Sequence, residues 1–454
     1  MSEIRCDVVV IGAGVTGLTA ARDLVAEGLD VVVLEARDRV GGRVWTNTIE
    51  GQLYEIGGQW VSPDQTALLA SLDELGLATY SRFRDGESVY VGRDGVAKRF
   101  TGDIFPASPR TESEIERLIG VLDELTAEID PDAPWQHPRA RELDTVSFKE
   151  WLAAESDDEE ARDNIALFIA DAMLTKPAHA FSTLQALLMA ASAGAFSHLV
   201  DADFILDKRV VGGLQKVPLA LADGLGDRVR LDQPVRTLHW GDDGVTAVTD
   251  DLEVHARRAL VAVPPNLYGR IAYEPPLPRE RNQMHQHLSL GLVIKVHATY
   301  ETPFWREAGL SGTSFSPYQL VHEAYDNSNF GEDRGTLVGF VSDEKADRLL
   351  ALDPDERKAR ILASLASYYG PQALTPVVYY ESDWASEEWT QGAYATSFDL
   401  GGLTRFGAGQ TTPVGPLRFG SSDLAGLGFQ HVDGAIRVGH RIAAEISAEI
   451  GVPA

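Results

Sequence analysis

The stretch "DVVVIGAGVTGL", residues 7–18, limits the possible folds of this chain more than any other part of it. A run of valines with no polar alternation reads as a strand buried on both faces, the kind found in parallel sheets. Gly12, Gly14 and Gly17 then follow the G-x-G-x-x-G pattern between that strand and a helix. The first glycine lets the chain turn, the second lets backbone N–H groups approach a pyrophosphate, and the third lets helix and strand pack closely. The helix N-terminus adds partial positive charge where phosphates would sit. A second valine run, "DVVVLE", ends at Glu35, where a carboxylate can accept both ribose hydroxyls. The pattern predicts a dinucleotide-binding unit and leaves nicotinamide and flavin equally open.

With 454 residues, the chain is too long for one compact core, so two domains are expected. A second strand cluster lies at 228–240 and 257–265, and "GAIRVGHRIAAEISAEI" reads as a helix after a glycine turn. Helical patterns cover 111–128, 147–170 and 182–195, and strand patterns recur near 290–300 and 335–343. The fold class expected is α/β, an α+β two-domain arrangement. A Rossmann-like domain is assembled from 1–80, 208–285 and 389–454. A mixed sheet and helical substrate domain is inserted as 81–207 and 286–388.

The formal net charge of −28 argues against a nucleic-acid partner and favours a cationic ligand. Cys6 is the single cysteine, so no intrachain disulfide can form and a reducing, cytoplasmic setting is expected. The longest apolar run, "TLQALLMAASAGAF", is too short to span a bilayer, so no membrane partner is expected. His285 and His287 are spaced poorly for a shared metal on a helix and read as a solvated pair; no metal site is expected.

The next segment separates the two cofactors. "EARDRVGGRVWT" continues from Glu35 with Ala36, Arg37, Gly41, Gly42 and Arg43. It resembles the second fingerprint of the flavin amine oxidase family, in which glycines and an arginine complete the pyrophosphate cradle. "EIGGQWVSP" resembles the family segment beside the flavin ring and brings Gly57, Gly58, Gln59 and Trp60. "VDGAIRVGHRIA" resembles the C-terminal flavin segment, with Asp433, Gly434 and Ala435. Val235, in "QPVRTL", matches the position whose backbone meets adenine. The resemblance runs along the whole chain and implies FAD. Ala393 stands where mitochondrial members carry the cysteine that bonds the flavin, which implies non-covalent attachment. The family often dimerises, so a homodimer is expected.

Lys295 lies in "LGLVIKVHATY", an apolar strand, in a chain with 8 lysines against 32 arginines. Burying an ammonium is costly unless it is paired or loses its proton. The resemblance implies that this lysine binds a water bridging to flavin N5. It also implies that Trp384 lies near the flavin, and that Tyr394 forms one wall of an aromatic cage with His431 in place of the usual second tyrosine. These four are the candidate catalytic residues. In "QLVHEAYDNSN" the resemblance assigns Glu323 to the far end of the substrate cavity, and the cage residues Tyr394 and His431 are the other expected substrate contacts. A diamine that is neutral at the flavin keeps an ammonium at its other end, and a dry cavity without a counter-ion would reject it. The expected reaction is oxidation by O2 of a small cationic amine, the diamine putrescine foremost, to 4-aminobutanal with ammonia and hydrogen peroxide. Another amine, an L-amino acid bound by an arginine, or a non-enzymatic flavin-binding role are the alternatives.

Overall fold

The computed structural model describes residues 2–451. Its first sheet has eight strands. Ser2–Ile11 lies at the centre, parallel to Val31–Leu34 on one side and to Leu252–Val261 on the other. Val8, Val9 and Val10 are wholly buried because helices cover one face and further chain covers the other. Helix Val15–Ala26 follows the glycine turn and packs against helix Val432–Ile450. A Cβ on Gly439 would stand 2.8 Å from the Thr16 carbonyl oxygen, so glycine there permits the close crossing. Strands Val229–Arg230, Thr237–Gly241, Gly244–Val248, Ala272–Glu274 and Leu417–Phe419 complete the sheet. All eight strands come from the three segments expected to form the nucleotide unit.

The second sheet has seven strands in the order Val378–Glu381, Val293–Tyr300, Gly335–Ser342, Glu323–Asp326, Leu310–Phe315, Glu87–Val91, Ala97–Phe100. Every residue of the strands Val293–Tyr300, Gly335–Ser342, Glu323–Asp326 and Leu310–Phe315 is buried, with helix Pro354–Tyr369 on one face. Tyr368 and Tyr369 of that helix donate to the Val321 and Gly312 carbonyls. Successive side chains enter different cores, as a pleated strand requires. Ile294, Val296 and Ala298 pack under the helix, whereas Val293, Val338 and Phe340 face the other way. A two-stranded ladder pairs Leu288–Gly291 with Ala393–Phe398 and so takes one strand from each side of the boundary expected at 388/389.

Two helical expectations change in detail. The segment 147–170 is not one helix. It breaks after Glu155, restarts at Glu159 with Asp158 accepting from the Ala161 N–H, and widens into π turns over Leu167–Leu174. The "SDDEE" stretch supplies its own capping residue, and a capped start favours a new helix over continuation. His285 and His287 are not a solvated pair. His285 packs on Tyr268 at 4.7 Å between ring centroids, and burial beside Arg281 lowers its pKa to about 3. His287 meets Asp399 through Nδ1 at 2.8 Å. Among the described residues no helix is long and apolar enough to cross a membrane, and no group of three or more His, Cys, Asp or Glu could hold a metal ion.

Candidate active site

The two sheets enclose an elongated cleft of about 2190 Å³, its open mouth included. One end is lined by Gly12, Gly14, Glu35, Ala36, Arg37, Gly42, Arg43 and Val235, the other by Lys295, Glu323, Trp384, Tyr394 and His431, with Gly57, Gly58, Gln59, Trp60 and Ala435 also in the wall. Residues separated by hundreds of positions thus share one cavity.

At the first end the three glycines have separate reasons. Gly12 has φ +106°, and a Cβ there would approach the Ala262 carbonyl oxygen to 2.9 Å. A Cβ on Gly17 would meet the Gly12 oxygen at 2.1 Å, so this glycine serves helix packing and stays out of the lining. Gly14 is different: a Cβ there would meet no protein atom within 4 Å. It is the N-cap of Val15–Ala26 and offers no side chain, so no cap satisfies the helix's first N–H groups. Open space over uncapped N–H groups fits a pyrophosphate. Glu35 accepts from the Ala13 N–H at 2.7 Å and the Arg37 N–H at 3.0 Å, which fixes its carboxyl at the end of Val31–Leu34. Burial raises its pKa while Arg37 opposes the rise. These residues fit a bound dinucleotide.

Two of the three arginines of the second fingerprint, Arg37 and Arg43, are paired with carboxylates. Arg43 pairs with buried Asp423 and donates to Ser422 Oγ at 3.2 Å and to the Tyr394 carbonyl at 2.7 Å. Arg37 pairs with Glu387 and donates to Thr390 Oγ1 at 2.7 Å. Arg43 is therefore not a free cation in the cradle: it ties the glycine turn to the strand that carries Tyr394. The placement of Asp433 and Gly434 also departs from the expectation. Asp433 accepts from the Ala67 and Leu68 N–H groups at 2.7 and 3.0 Å, capping helix Thr66–Glu74, and it pairs with Arg437. A Cβ on Gly434 would stand 2.3 Å from the Gly428 oxygen. Both lie behind the wall, where a buried cap and a close backbone crossing demand those residue types.

At the other end Lys295 is buried, as its apolar strand implied. Its Nζ donates to the Glu55 carbonyl at 2.7 Å, the Gly57 carbonyl at 2.8 Å and Gln59 Oε1 at 2.5 Å. Burial, opposed by Glu55 and reinforced by Arg209, brings its pKa down to about 7. Three acceptors match the three donors of an ammonium; the neutral amine would keep two and expose a lone pair. Trp384 donates from Nε1 to the Ile56 carbonyl at 3.1 Å and meets Trp45 edge-on at 6.2 Å. Tyr394 enters from strand Ala393–Phe398, with its pKa raised by burial and then by Glu323. His431 enters as the N-cap of Val432–Ile450. Its Nδ1 lies 2.9 Å from the Phe429 carbonyl, and burial lowers its pKa, so it presents a neutral ring. Glu323 is buried on the second sheet and accepts from the Tyr325 hydroxyl at 2.8 Å.

Sequence reasoning missed the aromatic residues that line this end: Phe168, Phe315, Tyr325 and Phe340. Alternation could have paired Phe340 with Val338, but a strand apolar on both faces does not reveal which face meets a cavity. Phe168 sits where the helix widens into π turns, a feature with no periodic signature and one that recurs at functional sites.

Residues 15–447 match the family described as flavin containing amine oxidoreductase, and the chain belongs to it. FAD is its cofactor. Putrescine oxidase of Kocuria rosea is 62% identical over 457 residues, covering 98% of this chain and 96% of that protein. A solved structure of wild-type putrescine oxidase bound to putrescine is 64% identical with a TM-score of 0.97, covering 98% of this chain and all of that one (100%). Cyclohexylamine oxidase from Brevibacterium oxydans IH-35A is 30% identical with a TM-score of 0.93, covering 98% and 99%.

Proposed function

We propose that this chain oxidises putrescine: the diamine, O2 and water give 4-aminobutanal, ammonia and hydrogen peroxide, and the aldehyde cyclises to 1-pyrroline. The observation that carries the reading is Glu323, a carboxylate buried in an aromatic cavity that also holds Lys295. The distal ammonium of a diamine is the group such a carboxylate recognises. An amino-acid substrate would need a cation for its carboxylate. The arginines in the lining are Arg37 and Arg43, both paired with carboxylates, and Arg270, which pairs with Glu388. None stands beside Lys295.

The bound FAD supplies the acceptor for a hydride equivalent from the amine carbon. The chain's own groups prepare that transfer. Glu323 holds the protonated end, so the other nitrogen enters neutral with its lone pair free. Tyr394 and His431 present uncharged rings that orient the carbon and exclude water. Lys295, poised near neutrality, keeps or yields a proton close to the reacting nitrogen. The imine is hydrolysed by water and needs no protein nucleophile.

Glu323→Gln is expected to lower kcat/KM for putrescine by roughly 30- to 1000-fold, with a much smaller loss for butylamine. Equal losses would sink the diamine assignment. The flavin is held without a covalent bond, a reading supported by Ala393 at the cavity wall and by Cys6, which lies outside the lining with its thiol pushed up to about 12 by burial. Denaturation should release all of the FAD into the supernatant; colour left on the precipitate would refute this. The same lone, unreactive thiol supports a cytoplasmic setting. The family habit supports a homodimer, which light scattering checks.

A further inference from the structure

The second sheet places four cavity residues in a single row across its strands. Lys295 pairs with Phe340, Phe340 pairs with Glu323, and Glu323 pairs with Phe315. Residues directly opposite one another point to the same face, and all four line the cleft. Adjacent strands stand about 4.8 Å apart, so the Lys295 and Glu323 backbones are roughly 10 Å apart, a separation fixed by hydrogen bonding between strands rather than by side-chain choice. Phe340 occupies the strand between, and its ring lies 6.0 Å from Lys295 Nζ. Beyond Glu323 the row is closed. Phe315 packs on Phe168 at 5.8 Å and on Phe105 at 5.1 Å, and Phe105 is itself buried.

We propose that this row measures the substrate: Glu323 anchors the distal ammonium, Phe340 carries the methylene chain, and Phe315 stops any chain that extends past the anchor. The inference rests on the diamine reading above. Its consequence is that chain length is read on the sheet's own spacing. A diamine longer than putrescine must push its ammonium, or its extra methylenes, into Phe315 and the rings behind it. An ammonium there loses its carboxylate partner and meets an apolar wall.

The test is kcat/KM for 1,4-diaminobutane, 1,5-diaminopentane and 1,6-diaminohexane, each divided by the same enzyme's value for butylamine, in flavin-loaded wild type, Phe315→Ala and Phe315→Leu. Leucine keeps the site apolar, so it reports even if alanine disrupts the core. The 1,6-diaminohexane to putrescine ratio should rise at least tenfold in Phe315→Ala and by a smaller factor in Phe315→Leu. An unchanged ratio in a variant that retains its FAD overturns the ruler. If Glu323→Gln still penalises diamines selectively in that case, the proposed function stands without it. If Glu323→Gln costs butylamine equally, the anchor itself is wrong and the ruler falls with it, whatever Phe315 does.

Discussion

At the nucleotide end of the cavity the wall is largely main chain: Gly12 and Gly14 turn it, uncapped N–H groups face it, and Glu35 is held by two backbone donors. At the amine end the wall is side chain: Lys295, Phe340, Glu323, Tyr394 and His431 arrive on different strands and on a helix cap. A wall of main chain needs particular residues at fixed, adjacent positions. A wall of side chains needs only that distant strands come into register, so its chemistry can change without disturbing the frame.

The contrast breaks first at the glycines. Gly17→Ala puts a Cβ against a backbone oxygen at 2.1 Å and is expected to cost several kcal/mol of stability and to yield protein without flavin absorbance. Gly14→Ala meets no protein atom, so the chain should fold with normal secondary structure by circular dichroism yet lose FAD on dialysis. If both variants behave alike, the division between glycines that serve the fold and glycines that serve the ligand is wrong.

At the other end, Lys295→Met should slow flavin reduction by putrescine at least roughly tenfold, about 1.4 kcal/mol of barrier, with FAD still bound. Stopped-flow absorbance measures it, and an unchanged rate removes Lys295 from the chemistry. A smaller effect concerns stability. Lys295 has its pKa depressed to about 7 in the folded chain against an ordinary 10.5. Between these values the unfolded chain binds the proton more tightly than the folded one, so folding becomes more favourable as pH rises. The unfolding free energy of wild type minus that of Lys295→Met, measured by denaturant titration, should climb from pH 7 toward pH 10, by at most about 1.4 kcal/mol per pH unit. A difference that falls over this window would mean that the three acceptors hold the ammonium more firmly than burial expels its proton.

How far each end was legible follows from the same contrast. Gly12, Gly14, Gly17 and Glu35 form a local pattern with a mechanism attached to every position, and the structure puts them at a strand–turn–helix as read. Lys295 announced itself as a cation in an apolar strand. Trp384, Tyr394, His431 and Glu323 are unremarkable in isolation and entered through family resemblance. Phe340 and Phe315 were invisible because strands buried on both faces do not say which side is the cavity. Asp433, Gly434, Arg37 and Arg43 have structural partners that the motif did not announce. A helix cap and a backbone crossing hold the first two outside the lining, and ion pairs hold the two guanidiniums within it.

The packing of Val432–Ile450 against Val15–Ala26 has a consequence for how the site is assembled. The turn that starts the nucleotide site sits between its own strand and helix, but His431 and Ala435 reach the cavity only when helix Val432–Ile450 docks there. No fragment that lacks this helix possesses a complete site, however well its first sheet has formed. A complete flavin site is therefore a property of the docked helix pair, and whatever loosens that docking opens the cavity wall at His431 and Ala435.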